Sequence, residues 1–483
     1  MEEGEQFSMS PVSRIRRNSL FAVIATLTRV ATTALMFIML ARQYGPELFG
    51  QFAFAYTYLT TFYLVADFGF DVYLASQVAR DTLKMYQLVQ SLLPLRVCLS
   101  LLSAALMCLV ALVSGIPAGT KEMMVAFAIS ILPSASSAFF FALFKGLEEF
   151  QHEARVSIIQ NCVLLTLLIG AGAMEVSIRT IAWIYAATRL LGLLILVPKV
   201  RYTLLPFDLR AAINSGKVAL RRGFPYGIFL VCGTLYFQLD TIMLGYFLNE
   251  ESVGVYQAAF KLVGILLLSN DIVVQIMLPV LSRLHADDMQ KWGIAVRFLT
   301  KNLVFVGMLF GVLVLAYPND VLSLVYGPNT YEASAPILRI FAVIFIVRSS
   351  AEVFALMLTT GNNQLARTRI VVFLTVLNFF LNLLVIPRFG TVGAALVSLI
   401  TNVVGGGLYV RAALRSVASG VTVVDTRLAI SIGVGALVPL AIWFLGIHSF
   451  PIGGSTIFFM LVLVFLILGY TSAERRLLFS FSR

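Results

Sequence analysis

Arg29, Arg189, Asp240, Lys261, Asp271, Arg348 and Glu352 all lie deep within long apolar runs, and Asp67, Asp71, Arg96 and Arg339 stand nearer the ends of theirs. An ionised group in hydrocarbon is costly unless paired or wet, so such residues mark ion pairs or polar paths through a bundle. Arg348 and Glu352 are four apart, on one helical face, where they can neutralise each other or serve a ligand. Arg29 and Lys261 have no acidic residue within four positions. One reading gives them an anionic ligand, since arginine suits bidentate recognition of phosphate. The other gives them a long-range pair with Asp240 or Asp67. Asp240, Asp271, Glu352 and Asp67 stay open between coupling to protons or sodium and permanent ion pairing.

Other chemistry has little support. Cys98, Cys108, Cys162 and Cys232 fall within apolar runs without CxxC spacing, and His152, His285 and His448 are scattered, so neither a disulfide framework nor a metal site is expected. The chain has no G-x-S-x-G, H-E-x-x-H or P-loop motif. No enzyme activity and no cofactor beyond a coupling ion is expected. The aromatic stretches FAFAYTYLTTFYL (52–64) and AFFFAL (138–143) suit either cavity walls or lipid-facing packing, the second being the commoner use.

The elements that position these residues are membrane spans. Of 483 residues, 59% are hydrophobic and 12% charged, with a mean hydropathy of +0.93. Soluble domains carry about 25% charged residues, so this is an all-α polytopic membrane protein. The net charge of +11 comes from lysine and arginine in short loops, which points to topology and away from nucleic acid. Apolar stretches long enough to span occur at 18–43, 49–70, 88–113, 121–144, 155–174, 178–198, 223–247, 253–280, 294–317, 336–359, 367–387, 391–412, 427–446 and 454–471. The separations inside 155–198 and 367–412 are the weakest, so twelve spans is the alternative to fourteen. The polar N-terminus precedes a run too long for a signal-peptide core, which reads as an uncleaved first span.

Basic residues crowd one side: RIRR at 14–17, Arg80, Lys84, Lys145, Lys199, Arg201, Arg221, Arg222, Arg283 and their successors. The other side has Arg42, Lys121, Arg179 and Arg388. Both termini are therefore expected to be cytoplasmic. RRNSLFAVI (16–24) aligns with RRGFPYGIF (221–229), and PELFGQFAFAY (46–56) with EESVGVYQAAF (250–260), an offset near 205. An offset of six spans preserves orientation, so the two lobes are expected to be parallel repeats around a central cleft. The domains expected are 1–210, 211–420 and an extra helix pair with its tail, 421–483. The connection at 199–222 reads as a lobe linker or an inert tether, and its DLRAAINSGKVALRR portion as an amphipathic surface helix. The longest opposite-side loop, 317–335, has room for a small re-entrant element.

GPELFGQFAFAYTYLTTFYLVADFGFDVYLASQVARD (45–81) resembles the first-hairpin signature of bacterial polysaccharide biosynthesis proteins, oligosaccharide-lipid flippases of the multidrug/oligosaccharidyl-lipid/polysaccharide exporter superfamily. QLDTIMLGYFLNEESVGVYQAAFKLV (238–263), MLPVLSRL (277–284), YGPNTYEASAPILRIFAV (326–343) and NFFLNLLVIPRFGTVGAALVSLITNVV (378–404) resemble later family segments, in order. The resemblance implies alternating-access transport of an undecaprenyl-pyrophosphate-linked oligosaccharide to the outer leaflet of a bacterial inner membrane. It implies head-group contacts at Arg29, Lys261 and, more weakly, Arg348. Glycan polymerases and glycosyltransferases would be partners. A multidrug/cation antiporter of the superfamily would instead require a carboxylate-dominated cavity, and a polymerase or glycosyltransferase larger extramembrane loops.

Overall fold

The computed structural model describes residues 11–200, 227, 230–361, 363–417, 423, 425–444 and 449–471, and all regular structure among them is helical. The reason is the solvent. Hydrocarbon offers backbone amides no hydrogen bonds, so each segment must satisfy its own. In chain order the helices are α1 (Pro11–Asp67), α2 (Phe70–Arg80), α3 (Met85–Val113), α4 (Ala118–Gly146), α5 (Phe150–Ala173) and α6 (Ile178–Val200). After the segment outside the described residues come α7 (Leu230–Phe247), α8 (Glu250–Asp287), α9 (Met289–Ala316), α10 (Pro318–Tyr326), α11 (Ala335–Thr360), α12 (Gln364–Ser416), α13 (Thr426–Phe444) and α14 (Phe450–Val464).

Eleven of the described helices are long and apolar enough to cross a membrane. Two of them, α1 and α12, double back. The α1 backbone breaks at Gly45 (φ 73°), just before Pro46. The Phe37 ring centroid then lies 6.0 Å from those of Phe49 and Phe52 and 5.2 Å from that of Tyr56. Residues that far apart on a straight helix would be separated by roughly 18 Å or more. The α12 backbone breaks at Gly390 (φ 59°), and a Cβ on Gly405 would come within 2.6 Å of Leu374. With these two hairpins and the shorter α13, each of the fourteen expected stretches has its helix, as far as its residues are described. The amphipathic helix expected at 208–222 lies outside the described residues. The short α10 occupies the loop, 317–335, that has room for a small element. Tyr326 Oη donates to the Ala258 carbonyl at 2.9 Å and Ser334 Oγ to that of Val255 at 2.8 Å, tying this loop to α8.

By internal contacts the chain divides into two units, Met1–Gln238 and Leu239–Arg483. In the first, α4 is the central helix, packed by α1, α2, α3, α5 and α6. Phe139 and Phe140 are buried in a core with Phe70, Leu74, Val78, Val156 and Leu196. That corrects the commoner reading of AFFFAL as lipid-facing: these rings fill the unit's interior. A Cβ on Gly146 would meet Val78 Cβ at 2.7 Å, so this glycine sets the close approach of α2 to α4. In the second unit the central helix is α11, the crossing at the corresponding place in the six-span repeat, packed by α8, α9 and α12.

The final pair, α13 and α14, is tied to α9 by a charge. Lys301 is fully buried and its ammonium lies 2.7 Å from the Asp425 carboxylate. Asp425 also accepts from the Leu428 N–H at 2.8 Å, capping α13. Burial pushes the Asp425 carboxyl up, but the Lys301 ammonium and the Leu428 N–H outweigh it and hold the group below the usual carboxylate range. Removing one member of such a pair leaves a buried charge without its partner, a loss of about 3–5 kcal/mol. Asp425→Ala is therefore expected to lower the melting temperature of the purified protein in detergent, and Lys301→Met with Asp425→Leu to recover most of the loss. Because the carboxyl's pKa is depressed on folding, the wild-type contribution is complete at neutral pH. It is lost as pH falls below the ordinary Asp value of about 4 and through the lower folded one. A melting temperature unchanged in Asp425→Ala would refute the anchor.

Candidate functional site

The first unit encloses a cavity of about 400 Å³ among α1, α4, α5, α6 and the start of α7. Its wall carries Arg29 and Arg189, the rings of Tyr56, Tyr63, Tyr185 and Phe141, and the neutral polar groups of Ser134, Ser137, Ser157, Gln160, Asn161 and Thr234. Ligand pockets generally measure about 300–1,000 Å³, so this cavity is of binding size. FAFAYTYLTTFYL (52–64) divides its work by helical spacing. Phe52, Phe54 and Tyr58 are buried in packing, whereas Tyr56 and Tyr63 reach the cavity. Thr234, which the repeat aligns with Arg29, lines the same cavity as Arg29 itself.

Arg29 finds its countercharge far along the chain. Its guanidinium donates to Glu153 Oε1 at 3.2 Å, and Lys145 Nζ lies 3.0 Å from Oε2 of the same carboxylate. Glu153 is 2% exposed. No spacing signal could have revealed this pair, because 124 residues separate its members. The contrast is Arg189. It is half-buried, its guanidinium stacks 4.4 Å from the Tyr185 ring centroid, and it makes no hydrogen bond or ion pair with any described residue. The α5 wall is set by close packing on α6. Gln160 Nε2 donates to the Thr188 carbonyl at 2.9 Å, and a Cβ on Gly192 would strike the Gln160 amide at 2.8 Å.

Asp67 belongs to a separate, structural node. Arg96, 0% exposed, donates to Asp67 at 2.6 Å, to Asp71 at 3.2 Å, and to the carbonyls of Ala66 at 2.9 Å and Ala135 at 3.2 Å. The carbonyl of Ala66 is at the end of α1, where Phe68 (φ 42°) and Gly69 (φ 80°) break the helix, and Arg96 replaces the partners that this break removes.

In the second unit Asp240 is 4% exposed and held by neutral donors: Tyr256 Oη at 2.5 Å, Asn382 Nδ2 at 2.6 Å, and Ser398 Oγ. Asn382 and Ser398 come from the two arms of the α12 hairpin, so its fold at Gly390 builds this cage. Lys261, on α8, is half-buried with its ammonium 5.9 Å from the Phe260 ring centroid. Asp271 of α8 stands within electrostatic reach of Glu352, Arg348 and Arg367. Arg367 lies 4.0 Å from Glu352 and donates to Thr359 Oγ1 at 3.0 Å. The structure thus gathers Asp271, Arg348 and Glu352 into one mixed-charge cluster on α8, α11 and α12, joined by an arginine that sequence spacing did not single out. Among the described residues, no group of His, Cys, Asp and Glu is arranged to hold a metal ion.

A multi-pass helical membrane protein with a polar, arginine-lined cavity inside its spans is the class that these features define. The profile of the family described as polysaccharide biosynthesis protein matches residues 15–285, and the chain belongs to that family. It is 31% identical over 195 residues to "Probable flippase AglR" of Haloferax volcanii, covering 38% of this chain and 39% of that one. It is 27% identical over 166 residues to "Probable low-salt glycan biosynthesis flippase Agl15" of the same organism, covering 34% of each. The matches thus span well under half the length of these curated relatives. The fold is similar to that of the lipid II flippase MurJ in an inward closed conformation, with a TM-score of 0.73 at 14% identity, over 93% of this chain and 98% of that one.

The Glu153 carboxylate joins α5 to α1 and to the end of α4, so its charge matters more than its shape. Charge-assisted hydrogen bonds contribute about 1.5–3 kcal/mol each. Glu153→Gln, nearly isosteric, should therefore lower thermal stability in detergent by an amount in that range, and Glu153→Asp should recover part of it. Stability unchanged in Glu153→Gln would mean that Arg29 does not depend on this carboxylate.

Proposed function

We propose that the chain is a flippase for lipid-linked oligosaccharide, carrying an undecaprenyl-pyrophosphate-linked glycan repeat from the cytoplasmic to the outer leaflet of a bacterial cytoplasmic membrane by alternating access. The observation that carries this reading is the arginine-lined polar cavity within membrane-spanning helices. A sugar head group cannot cross hydrocarbon unaided, because each polar group stripped of water without a new partner costs several kcal/mol. A wet, cationic groove removes that barrier while the polyprenyl tail stays in lipid. AglR and Agl15, described as probable flippases, and the lipid II flippase MurJ support the same assignment.

In this reading both termini are cytoplasmic, and the protein works as a carrier without catalysis, supplied by glycosyltransferases and followed by a polymerase. Arg29, Lys261 and Arg348 are the head-group contacts. Moving negative charge outward across an inside-negative membrane releases about 2.3 kcal/mol per charge per 100 mV, so the potential drives the step directly. Asp240, a carboxylate caged by neutral donors, is the favoured coupling residue for a proton or sodium ion. Asp271 shares its surroundings with arginines and fits ion pairing better.

The test is leaflet accessibility of a fluorescent polyprenyl-pyrophosphate oligosaccharide in proteoliposomes, read by a membrane-impermeant quencher. The wild-type protein should speed its appearance in the opposite leaflet, and an imposed potential should speed it further. Lys261→Glu should slow it by about tenfold or more, the scale of one lost charge-assisted contact. Wild-type protein that leaves the lipid's distribution unchanged, while exporting small cations, would replace this reading with the antiporter.

A further inference from the structure

The cavity of the first unit holds more chemistry than an anion clamp requires, and what it holds bears on the glycan. The inference rests on the transport reading just given. Glu153 is the carboxylate partner of Arg29, which shares it with Lys145. Arg189 is then the cation of the wall with no carboxylate partner among the described residues. A single guanidinium with no carboxylate partner matches one carboxylate of a ligand better than a pyrophosphate, whose negative charge is larger.

The surroundings of Arg189 are those of a sugar ring, which offers an apolar face and a rim of hydroxyls. Tyr185 lies under the guanidinium, and Tyr56 meets Tyr185 edge-on with centroids 5.9 Å apart at 82°. Stacking on Tyr185 holds the guanidinium plane and directs its donors without consuming any of them. Asn161 spends its amide N–H on the Ser157 carbonyl at 2.7 Å, while its carbonyl oxygen has no partner among the described residues. The Ser137 hydroxyl also lacks one. Buried polar atoms nearly always find partners, so an acceptor and a hydroxyl left over in the same cavity lining as the Arg189 guanidinium call for a ligand with both hydroxyls and an acid group.

We propose that this cavity binds an acidic sugar residue of the transported glycan, a hexuronate or its like, with Arg189 taking the carboxylate and Asn161 and Ser137 the ring hydroxyls. Arg189 is then a specificity-determining residue, distinct from the head-group contacts.

The experiment uses the full chain in proteoliposomes with three fluorescent polyprenyl lipids. One carries a neutral hexose disaccharide on pyrophosphate. The second has a hexuronate in place of one hexose, and the third bears the neutral disaccharide on a monophosphate. The wild-type protein should move the hexuronate lipid about tenfold faster than its neutral twin, the discrimination expected from one charge-assisted contact. In Arg189→Gln that ratio should fall to about one, with the discrimination between monophosphate and pyrophosphate kept. A wild-type ratio near one, or a ratio that survives Arg189→Gln, overturns the proposal. So does an Arg189→Gln variant that loses phosphate discrimination instead, which would make Arg189 itself a head-group contact. Movement of none of the three lipids by wild-type protein is the failure of the transport reading itself, and is distinguishable from these. Should Arg189→Gln not elute as folded protein, competition on the wild type decides. Free glucuronate should slow the hexuronate lipid and equimolar glucose should not; equal effects sink the idea.

Discussion

A charge in hydrocarbon must find its countercharge inside the protein, and the helices of this chain are held in place where it does so. Arg96 is the clearest case. One fully buried guanidinium takes carboxylates from Asp67 and Asp71 and carbonyls from Ala66 and Ala135, so that α1, α2, α3 and α4 meet at a single side chain. Lys301 does the same for the last helix pair through Asp425. Arg29 and Lys145 share Glu153 and so join α1, α4 and α5. Between lipid-bathed helices there is little hydrophobic driving force, because acyl chains are as apolar as leucine. Polar pairs and close glycine contacts therefore carry specificity that a soluble core would obtain from burial. Gly311, whose Cβ would lie 2.4 Å from Ile346, shows the second device at the meeting of α9 and α11.

Against that background Arg189 is the departure. It sits in the same kind of span as Arg29, yet its wall provides an aromatic ring and amides in place of a carboxylate. An ion pair would have fixed the helix and closed the site to an anion. Stacking on Tyr185 supports the side chain and leaves its hydrogen-bonding donors available. Asp240 is the mirror image in the second unit: a carboxylate surrounded by hydroxyl and amide donors, with no cationic partner among the described residues. On the proposed function both residues serve as receptors for a missing charge, while Arg96 and Lys301 are struts.

How much of this was legible beforehand depended on range. The fourteen spans followed from hydropathy, since hydrocarbon permits only helices of sufficient length, and even the weakest separation, inside 367–412, falls on a glycine with positive φ. The ionisable residues within the spans were also visible, because each is an outlier against its neighbours. Their partners were not. Arg29 to Glu153 and Lys301 to Asp425 each span more than a hundred residues, and helical spacing speaks only to neighbours three or four apart. The same limit hid Arg367, which reaches Glu352 from another helix, while the visible i, i+4 pairing drew attention to Arg348. Sorting buried from lipid-facing aromatics failed for a related reason. In a span both environments are apolar, so Phe139 and Phe140 carry no mark of the side they take.

The division between struts and receptors also bears on motion. A strut such as the Arg96 node holds four helices and cannot open without stranding two carboxylates, so any rearrangement of the first unit must carry these helices as a block. The cavity wall is less constrained. Gln160 against Gly192 and the Asn161–Ser157 contact are neutral hydrogen bonds, each contributing about 1 kcal/mol, so they can be exchanged for ligand contacts without a large penalty. On the proposed function the protein has to bind its cargo and release it on the other side. Rigid charged nodes around a wall of weak, exchangeable contacts would meet both demands: the nodes preserve the geometry of the site, and the wall lets the cargo leave.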